Sequence, residues 1–135
     1  MAGKLKLIVV TPETTVVDAE ADEVQLPGEL GYLGILPGHA PLITLLKAGV
    51  LSYKSGGAET PFAFSTGFAE IVNDKVTVLA DLAEGKAQID SGQAERDRAR
   101  AEEALKTANR ETMEQIRGEL ELAQARLAVS GKTGS

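Results

Sequence analysis

The feature that most constrains the fold of this chain is a change of hydrophobic period close to residue 85. In the first part, apolar residues recur at alternate positions, as Leu5, Leu7 and Val9 do, which is typical of β-strands with one buried face. In the second part proline is absent and Ala, Glu, Arg, Gln and Leu dominate, which favours helices. The sequence therefore predicts a β domain over residues 1–85 and a helical domain over residues 86–135.

Short strands separated by turns fill the predicted β domain. The same alternation occurs in three further pairs, which are Val24 and Leu26, Ile43 and Leu45, and Val76 and Val78. Residues that favour turns stand between such strands, at Thr11–Pro12, Pro27–Gly28, Pro37–Gly38, Lys47–Gly49, Ser55–Gly57, Thr66–Gly67 and Asn73–Asp74. Many short strands without intervening helices predict an antiparallel β-sandwich or barrel.

The helical domain is predicted to be two helices. Asp90 or Ser91 can cap the first helix, and a break is expected at residues 107–110 because Thr107 and Asn109 compete for backbone hydrogen bonds. The second helix carries apolar residues at spacings of three and four, namely Met113, Ile116, Leu120, Ala123 and Leu127. The stripe that would face them on the first helix is mostly alanine, namely Ala94, Ala101, Leu105 and Ala108.

The alanine stripe limits how firmly the helical domain is held. A buried methyl group contributes about 0.8 kcal/mol, whereas a buried Leu or Ile side chain contributes roughly 1.5 to 3 kcal/mol. A pair of helices joined in this way can open, or lift off its neighbour, at a small cost in free energy. The sequence leaves two interpretations open, a static hairpin and a movable arm.

Composition excludes several kinds of chemistry. The chain has no Cys and a single His, His39, so disulfides, thiolate nucleophiles and multi-histidine or cysteine metal sites are excluded. The net charge of −6 disfavours a nucleic-acid partner. The apolar run Leu7–Val10 is too short for a secretory signal, and no stretch reaches the roughly 18 to 20 apolar residues of a membrane span. We therefore expect no nucleic-acid binding and no direct membrane insertion.

The segment from Gly28 to Ile43 combines glycines, prolines and the histidine. Its glycines follow the spacing G-x-x-G-x-x-G, not the G-x-G-x-x-G of dinucleotide sites, and no helical pattern follows them. The chain has no G-x-S-x-G motif that would give His39 a nucleophile. We expect a tight turn structure in which His39 bonds its own loop, and no catalytic residue. The residues alone thus indicate a binding or coupling module with a helical arm.

Several stretches together resemble the epsilon subunits of bacterial and chloroplast F-type ATP synthases. They are "LIVVTPETTVVDAEADEVQLP", "GYLGILPGHAPLITLL", "GVLSY", "FSTGFAEIVNDKVTVLAD" and "AEGKAQID". The resemblance spans residues 5–130, and G-x-L-P-G-H-A-P, from Gly34 to Pro41, is its most specific part. It implies a ten-stranded antiparallel β-sandwich followed by a two-helix antiparallel hairpin, in a rotor subunit of the central stalk without catalytic sites.

The resemblance also implies partners. The β domain would bind the gamma subunit and the membrane c-ring, coupling proton- or sodium-driven rotation to ATP synthesis at the cytoplasmic face of the bacterial inner membrane. The hairpin could extend along gamma to the catalytic alpha and beta subunits and inhibit ATP hydrolysis. In the implied interface, Gly28–Tyr32 projects toward the c-ring and Gly34–Pro41 shapes its base. The implied interface residues are Glu29, Leu30, Gly31, Tyr32, Gly34, Pro37, His39 and Pro41. Where some relatives carry an acid this chain has Tyr32, so the ionic contact would fall to Glu29.

Some relatives bind regulatory ATP through the motif I/L-D-x-x-R-A. This chain matches it at Ile89, Asp90 and Ala94 but has Gln93 at the arginine position, with Arg100 as a substitute charge. Because a neutral amide cannot replace a forked guanidinium toward phosphate, we expect weak ATP binding or none, and no other cofactor.

Two further points concern the regulation and the function of the chain. Residues 110–132 hold four basic and four acidic residues, so strong electrostatic inhibition is not expected. Two alternative functions remain, a stand-alone ATP-sensing module that uses the hairpin as a clamp, and an adaptor without a role in a motor.

Overall fold

The computed structural model describes residues 3–131. Ten strands precede two helices, and a short 3-10 helix, Lys86–Gln88, joins the two parts. The elements are β1 (Leu5–Val10), β2 (Thr15–Ala21), β3 (Glu23–Gly28), β4 (Gly31–Ile35), β5 (Leu42–Leu46), β6 (Gly49–Ser55), β7 (Ala58–Phe64), β8 (Gly67–Val72), β9 (Lys75–Ala80), β10 (Ala83–Glu84), α1 (Ser91–Leu105) and α2 (Arg110–Ser130).

The strands form one hydrogen-bonded sheet in the order β10-β7-β6-β3-β5-β8-β9-β1-β2, and β4 pairs with β3 outside this path. The sheet folds over as a sandwich around a core to which all ten of these strands contribute. Within residues 3–131 every strand pairing is antiparallel except that of β1 with β9. The ten-stranded sandwich is thus confirmed with one parallel pair, which arises because β1 and β9 are far apart in sequence and no short turn joins them.

The alternation in the sequence places most of the core correctly. The residues Leu5, Leu7, Val9, Val24, Leu26, Val76 and Val78 are all buried, as predicted. The prediction for Ile43 and Leu45 is wrong, because these two side chains are 70% and 60% exposed. They lie on the outer face of β5, and the inner face is formed by Leu42, Thr44 and Leu46.

Two hairpin turns form as their residue types predict, and one predicted turn is absent. Asn73–Asp74 and Gly56–Gly57 all have positive φ, as tight hairpins require. Pro27–Gly28 lies inside β3 and is buried. Pro27 is tolerated in this strand because it lies between the part of β3 that pairs with β6 and the part that pairs with β5, where no ladder hydrogen bond is needed from its nitrogen.

The first helix begins at its predicted cap, and the predicted break separates the two helices. The Asp90 side chain accepts a hydrogen bond from the Gln93 backbone N–H, which caps α1. Asn109 and Thr112 form a reciprocal cap at the start of α2. Arg126 near the end of α2 lies close to Asp97 near the start of α1, so the two helices form the predicted antiparallel hairpin.

The hairpin, which we call the arm, lies against the outside of the sandwich on β6 and β7. The contact is a small apolar cluster of three buried residues, Ala63, Ala125 and Val129, with the partly buried Val50, Ile89 and Leu122 around it. Neither α1 nor α2 combines the length and the apolar character that crossing a membrane requires.

Candidate partner-binding face and arm-docking site

An apolar row crosses the outer face of the sandwich. Leu45 of β5 stands opposite Phe68 of β8, and Phe68 stands opposite Leu79 of β9. These side chains are 60%, 42% and 42% exposed, and Ile43 lies on the same face of β5. We call Ile43, Leu45, Phe68 and Leu79 the apolar row. A contiguous exposed apolar patch on a folded domain is typical of an interaction surface.

The wrong prediction that Ile43 and Leu45 are buried has a physical reason. From Leu42 to Leu46 the strand reads "LITLL", in which four of the five residues are apolar. Alternation alone cannot say which face of such a strand is buried, because both faces are apolar. The signal that could have found the row was this continuous run, which indicates a strand covered on both sides.

The apolar row continues into the turn between β3 and β4. Gly28 pairs with Gly31 across a two-residue loop of Glu29 and Leu30, and the Leu30 side chain is fully exposed. A Cβ on Gly28 would lie 2.7 Å from the Gly31 carbonyl oxygen, and Gly31 has a φ of +137°, so both positions require glycine. We call Glu29–Gly31 the tip. A groove of about 450 Å³ separates it from β5, lined by residues 28–33 and 42–45.

Tyr32 links β4, the strand that follows the tip, to β6. The residue is 56% exposed, and its hydroxyl oxygen accepts a hydrogen bond of 3.0 Å from the Val50 N–H of β6. Gly49 makes room for it, since a Cβ there would lie 2.9 Å from the Tyr32 hydroxyl. Tyr32 therefore stays partly exposed while its hydroxyl is bonded within the protein. Gly34 lies further along β4, opposite Gln25.

The loop that contains Pro37, His39 and Pro41 lies at the other end of β4 from the tip. Four residue steps along a strand span about 13 Å, so this loop lies well away from the tip, and its part in the interface stays a prediction. The loop is tied to the β8–β9 turn, where Asp74 Oδ1 accepts from the Gly38 N–H at 2.7 Å. His39 Nδ1 lies 2.6 Å from the Ala40 carbonyl oxygen, to which it donates. The prediction that His39 bonds its own loop is confirmed.

The residues proposed for ATP lie at the root of the arm, where their polar groups are already paired. Asp90 caps α1, and the Gln93 side-chain amide donates to Asp97 at 2.8 Å. Ala94 is buried, and Ile89 packs against the cluster beneath the arm. A phosphate group would have to break these contacts to bind.

The cavity at this point is small and acidic. Its volume is about 190 Å³, and its lining comprises Glu84, Gln88, Ile89, Asp90, Gln93, Ala94, Asp97 and Arg126. Three carboxylates thus face one guanidinium, which opposes an anionic ligand. Arg100 does not line this cavity. It lines a neighbouring cavity of about 260 Å³ between α1 and α2.

Two basic side chains of α1, Arg98 and Arg100, are paired with acids of the same helix. Arg98 donates to Glu95 and to Glu102. The hydrogen bond from Arg98 holds the pKa of Glu95 below its ordinary value, and the same bond raises the pKa of Arg98. Arg100 donates to Asp97 at 3.0 Å. These two arginines would have to leave their acids before they could bind another anion.

Among residues 3–131, two ion pairs cross from the arm to the sandwich. Arg126 of α2 donates to both oxygens of Glu84 in β10, at 2.7 and 3.3 Å. Lys47 Nζ lies 3.4 Å from Glu121 Oε2. Neither pair could be found from the sequence, because their members are 42 and 74 residues apart and no local pattern links them. Lys132, one of the four bases counted after residue 110, lies outside the described residues.

A sandwich with an exposed apolar row and a docked helical hairpin defines a recognisable class of protein. Residues 4–86 match the family described as ATP synthase, Delta/Epsilon chain, beta-sandwich domain. The ATP synthase epsilon chain of Geotalea daltonii is 46% identical over 136 residues, covering 99% of each chain. That of Koribacter versatilis is 47% identical, covering 82% of this chain and 78% of its own.

Similarity extends to the fold of a solved structure. A chain of the Euglena gracilis mitochondrial ATP synthase, in the cryo-EM structure of OSCP/F1/c-ring, matches with a TM-score of 0.80 at 19% identity, covering 93% of this chain and 80% of that chain. The present chain therefore belongs to the ATP synthase delta/epsilon family, and its near-full-length relatives are epsilon chains. Epsilon chains are stalk subunits of the complex and are not themselves catalytic.

Proposed function

We propose that the chain is a rotor subunit in the central stalk of a bacterial F-type ATP synthase. Its sandwich, residues 1–85, couples ion-driven rotation of the c-ring to ATP synthesis at the cytoplasmic face of the inner membrane. The arm, residues 86–135, regulates ATP hydrolysis. The observation that carries this proposal is the exposed apolar row on a sandwich that already has a complete core of its own.

The apolar row is the proposed site for the gamma subunit. Four large apolar side chains exposed on neighbouring strands gain free energy when a partner covers them, at roughly 25 cal/mol per Å² of apolar surface. The tip projects beyond the row and carries Glu29 beside the fully exposed Leu30. We assign the tip, together with the Tyr32 ring, to the polar loops of the c-ring.

The arm is proposed to leave the sandwich and extend along gamma toward the alpha and beta subunits. Its docking cluster consists mostly of alanine and valine side chains, so little apolar burial is lost when it moves. In the docked position its charges are largely paired within the chain. A regulatory role therefore requires the arm to be displaced.

ATP binding at the root of the arm is proposed to be weak or absent. The acidic lining and the lack of a guanidinium at Gln93 both oppose a triphosphate. Calorimetry of the purified chain with Mg-ATP is expected to show no micromolar site. A micromolar dissociation constant would favour the alternative function, an ATP-sensing module.

The binding surfaces are tested by substitution. Leu45→Ser with Phe68→Ser is expected to weaken binding to gamma at least about tenfold, since two central apolar anchors are lost. Thr60→Ala, at an exposed position on β7 away from the row, is the control and is expected to bind like the parent chain. Unchanged gamma binding by the double variant would contradict the assignment of the row. The double variant Glu29→Lys with Tyr32→Ala is expected to weaken binding to the c-ring. Unchanged binding to the c-ring would contradict the assignment of the tip.

The role of the arm is tested in the assembled complex. A chain that ends at Glu84 keeps all ten strands and removes both helices. If the arm inhibits, ATP hydrolysis by the complex should rise with this chain while binding to gamma is retained. An unchanged rate of hydrolysis would refute inhibition and leave the rotor role standing.

A further inference from the structure

One guanidinium joins the sandwich to both helices of the arm. Arg126 Nε donates to Glu84 Oε1 at 2.7 Å and Nη2 donates to Oε2 at 3.3 Å, so the two groups meet as a fork. Asp97 Oδ2 of α1 lies 4.0 Å from Arg126 Nη1. Arg126 is 23% exposed, Glu84 25% and Asp97 28%. β10, α1 and α2 therefore meet at a partly buried cluster of charges.

The position of this cluster lets it hold the whole arm against the sandwich. Glu84 is the last strand residue of the sandwich, and Gly85 follows it at the start of the connection to the helices. The Arg126–Glu84 pair thus joins the C-terminal part of α2 to the residue just before the arm, 42 residues back along the chain. While the pair is formed, α2 cannot move away from β10.

The other contacts of the arm with the sandwich are weak by comparison. The apolar part is centred on Ala63, Ala125 and Val129, whose methyl groups contribute little each. The second ion pair, Lys47–Glu121, is more exposed, at 45% and 31%, and is a single contact of 3.4 Å. A forked and partly buried pair of charges is stronger than an exposed single one.

We propose that Glu84, Arg126 and Asp97 form an electrostatic latch that sets how often the arm leaves the sandwich. The inference rests on the proposed movable arm and names the contact that regulates it. Internal carboxylates hold Arg126 in the docked state, so the arm needs no bound nucleotide to stay docked. When the arm lifts, the Arg126–Glu84 pair breaks and water solvates Glu84, while Asp97 moves with Arg126 on the arm and stays beside it, which limits the cost of opening.

The latch can be measured with a thiol, because the chain has no cysteine of its own. Ala125→Cys places a thiol, which we call the arm reporter, in the cluster under the arm, where Ala125 is 4% exposed. Its rate of reaction with a thiol reagent follows the fraction of time that the arm is lifted. Ala69→Cys, made in a separate chain at a fully buried position in the sandwich core, provides the core reporter, which detects unfolding of the sandwich.

Arg126→Gln and Glu84→Gln are each expected to raise the labelling rate of the arm reporter about tenfold, as expected for the loss of a charged hydrogen-bonded pair. Labelling of the core reporter should not change. The two substitutions together should raise the rate at the arm reporter no more than either alone, because each already breaks the same pair. Arg126→Lys keeps the charge without the fork and should give an intermediate rate.

Arg117→Gln is the matched control. It makes the same chemical change on the same helix, where Arg117 pairs only with Glu114 of α2 among its contacts in residues 3–131, and it should leave labelling unchanged. If the arm reporter labels faster than the core reporter but Arg126→Gln changes its rate by less than twofold, the latch is wrong and the movable arm stands. If the two reporters label equally slowly in chains without a further substitution, the arm does not lift separately, and both proposals fail.

Discussion

The core of the sandwich and the docking site of the arm are built from different side chains. Leu7, Leu26, Ile35 and Phe64 are completely buried in the sandwich, whereas the arm rests on a cluster centred on two alanines and a valine. Apolar burial fixes the first region, and two ion pairs supplement a thin apolar contact in the second. The size of the buried side chains thus distinguishes a rigid region from a detachable one.

The largest effect is expected in the sandwich core. Leu26→Ala should lower the free energy of unfolding by about 3 kcal/mol, because it removes a fully buried side chain and leaves a cavity. Chemical denaturation followed by circular dichroism measures this loss. A loss under about 1 kcal/mol would mean that the core is far looser than its burial indicates.

The next effect separates the two regions. Ala125→Glu places an unpaired charge under the arm, which should disfavour docking by about 2 kcal/mol, equivalent to opening roughly 30-fold more often. Limited digestion with trypsin should then cut the arm faster at its arginines and leave the sandwich intact. Equal acceleration of cleavage in both regions would show that the arm is not an independent unit.

A smaller effect concerns the start of the arm. Asp90→Ala removes the side chain that caps α1, with an expected cost of about 1 kcal/mol to that helix. Amide exchange in the first turn of α1 should accelerate while exchange in the strands stays the same. Asp90→Asn, which keeps a capping oxygen, is the control and should behave like the parent chain.

The smallest effect lies at an exposed edge of the sandwich. Lys4 donates to Asp22, and this hydrogen bond holds the pKa of Asp22 below its ordinary value of 3.8 and raises that of Lys4 above 10.5. Since the folded pKa of Asp22 is the lower one, its contribution to stability is present above pH 3.8 and is lost as the pH falls further. The stability difference between the parent and Asp22→Asn should therefore shrink on acidification below that pH. A difference that stays constant down to about pH 2 would contradict this.

How far the sequence predicts the structure differs between these regions for a physical reason. Alternation identifies Leu5, Leu7 and Val9 as core, and capping chemistry locates both helices, because these signals are local. Alternation alone could not predict the exposure of Ile43 and Leu45, since in a strand with two apolar faces it does not show which face the core covers. The Glu84–Arg126 pair depends on the packing of elements that are distant in sequence, and the sequence around neither residue indicates the pairing.

Hydrogen exchange of the intact chain, followed by mass spectrometry, distinguishes a detachable arm from one that is rigidly docked. The amides of α2 from residue 122 to 129 are expected to exchange together, well before those of β1, β8 and β9. Substituting Arg126 is also expected to speed the first group alone. Exchange of the arm and the core strands in one step, at one rate, would contradict the division into a rigid sandwich and a detachable arm.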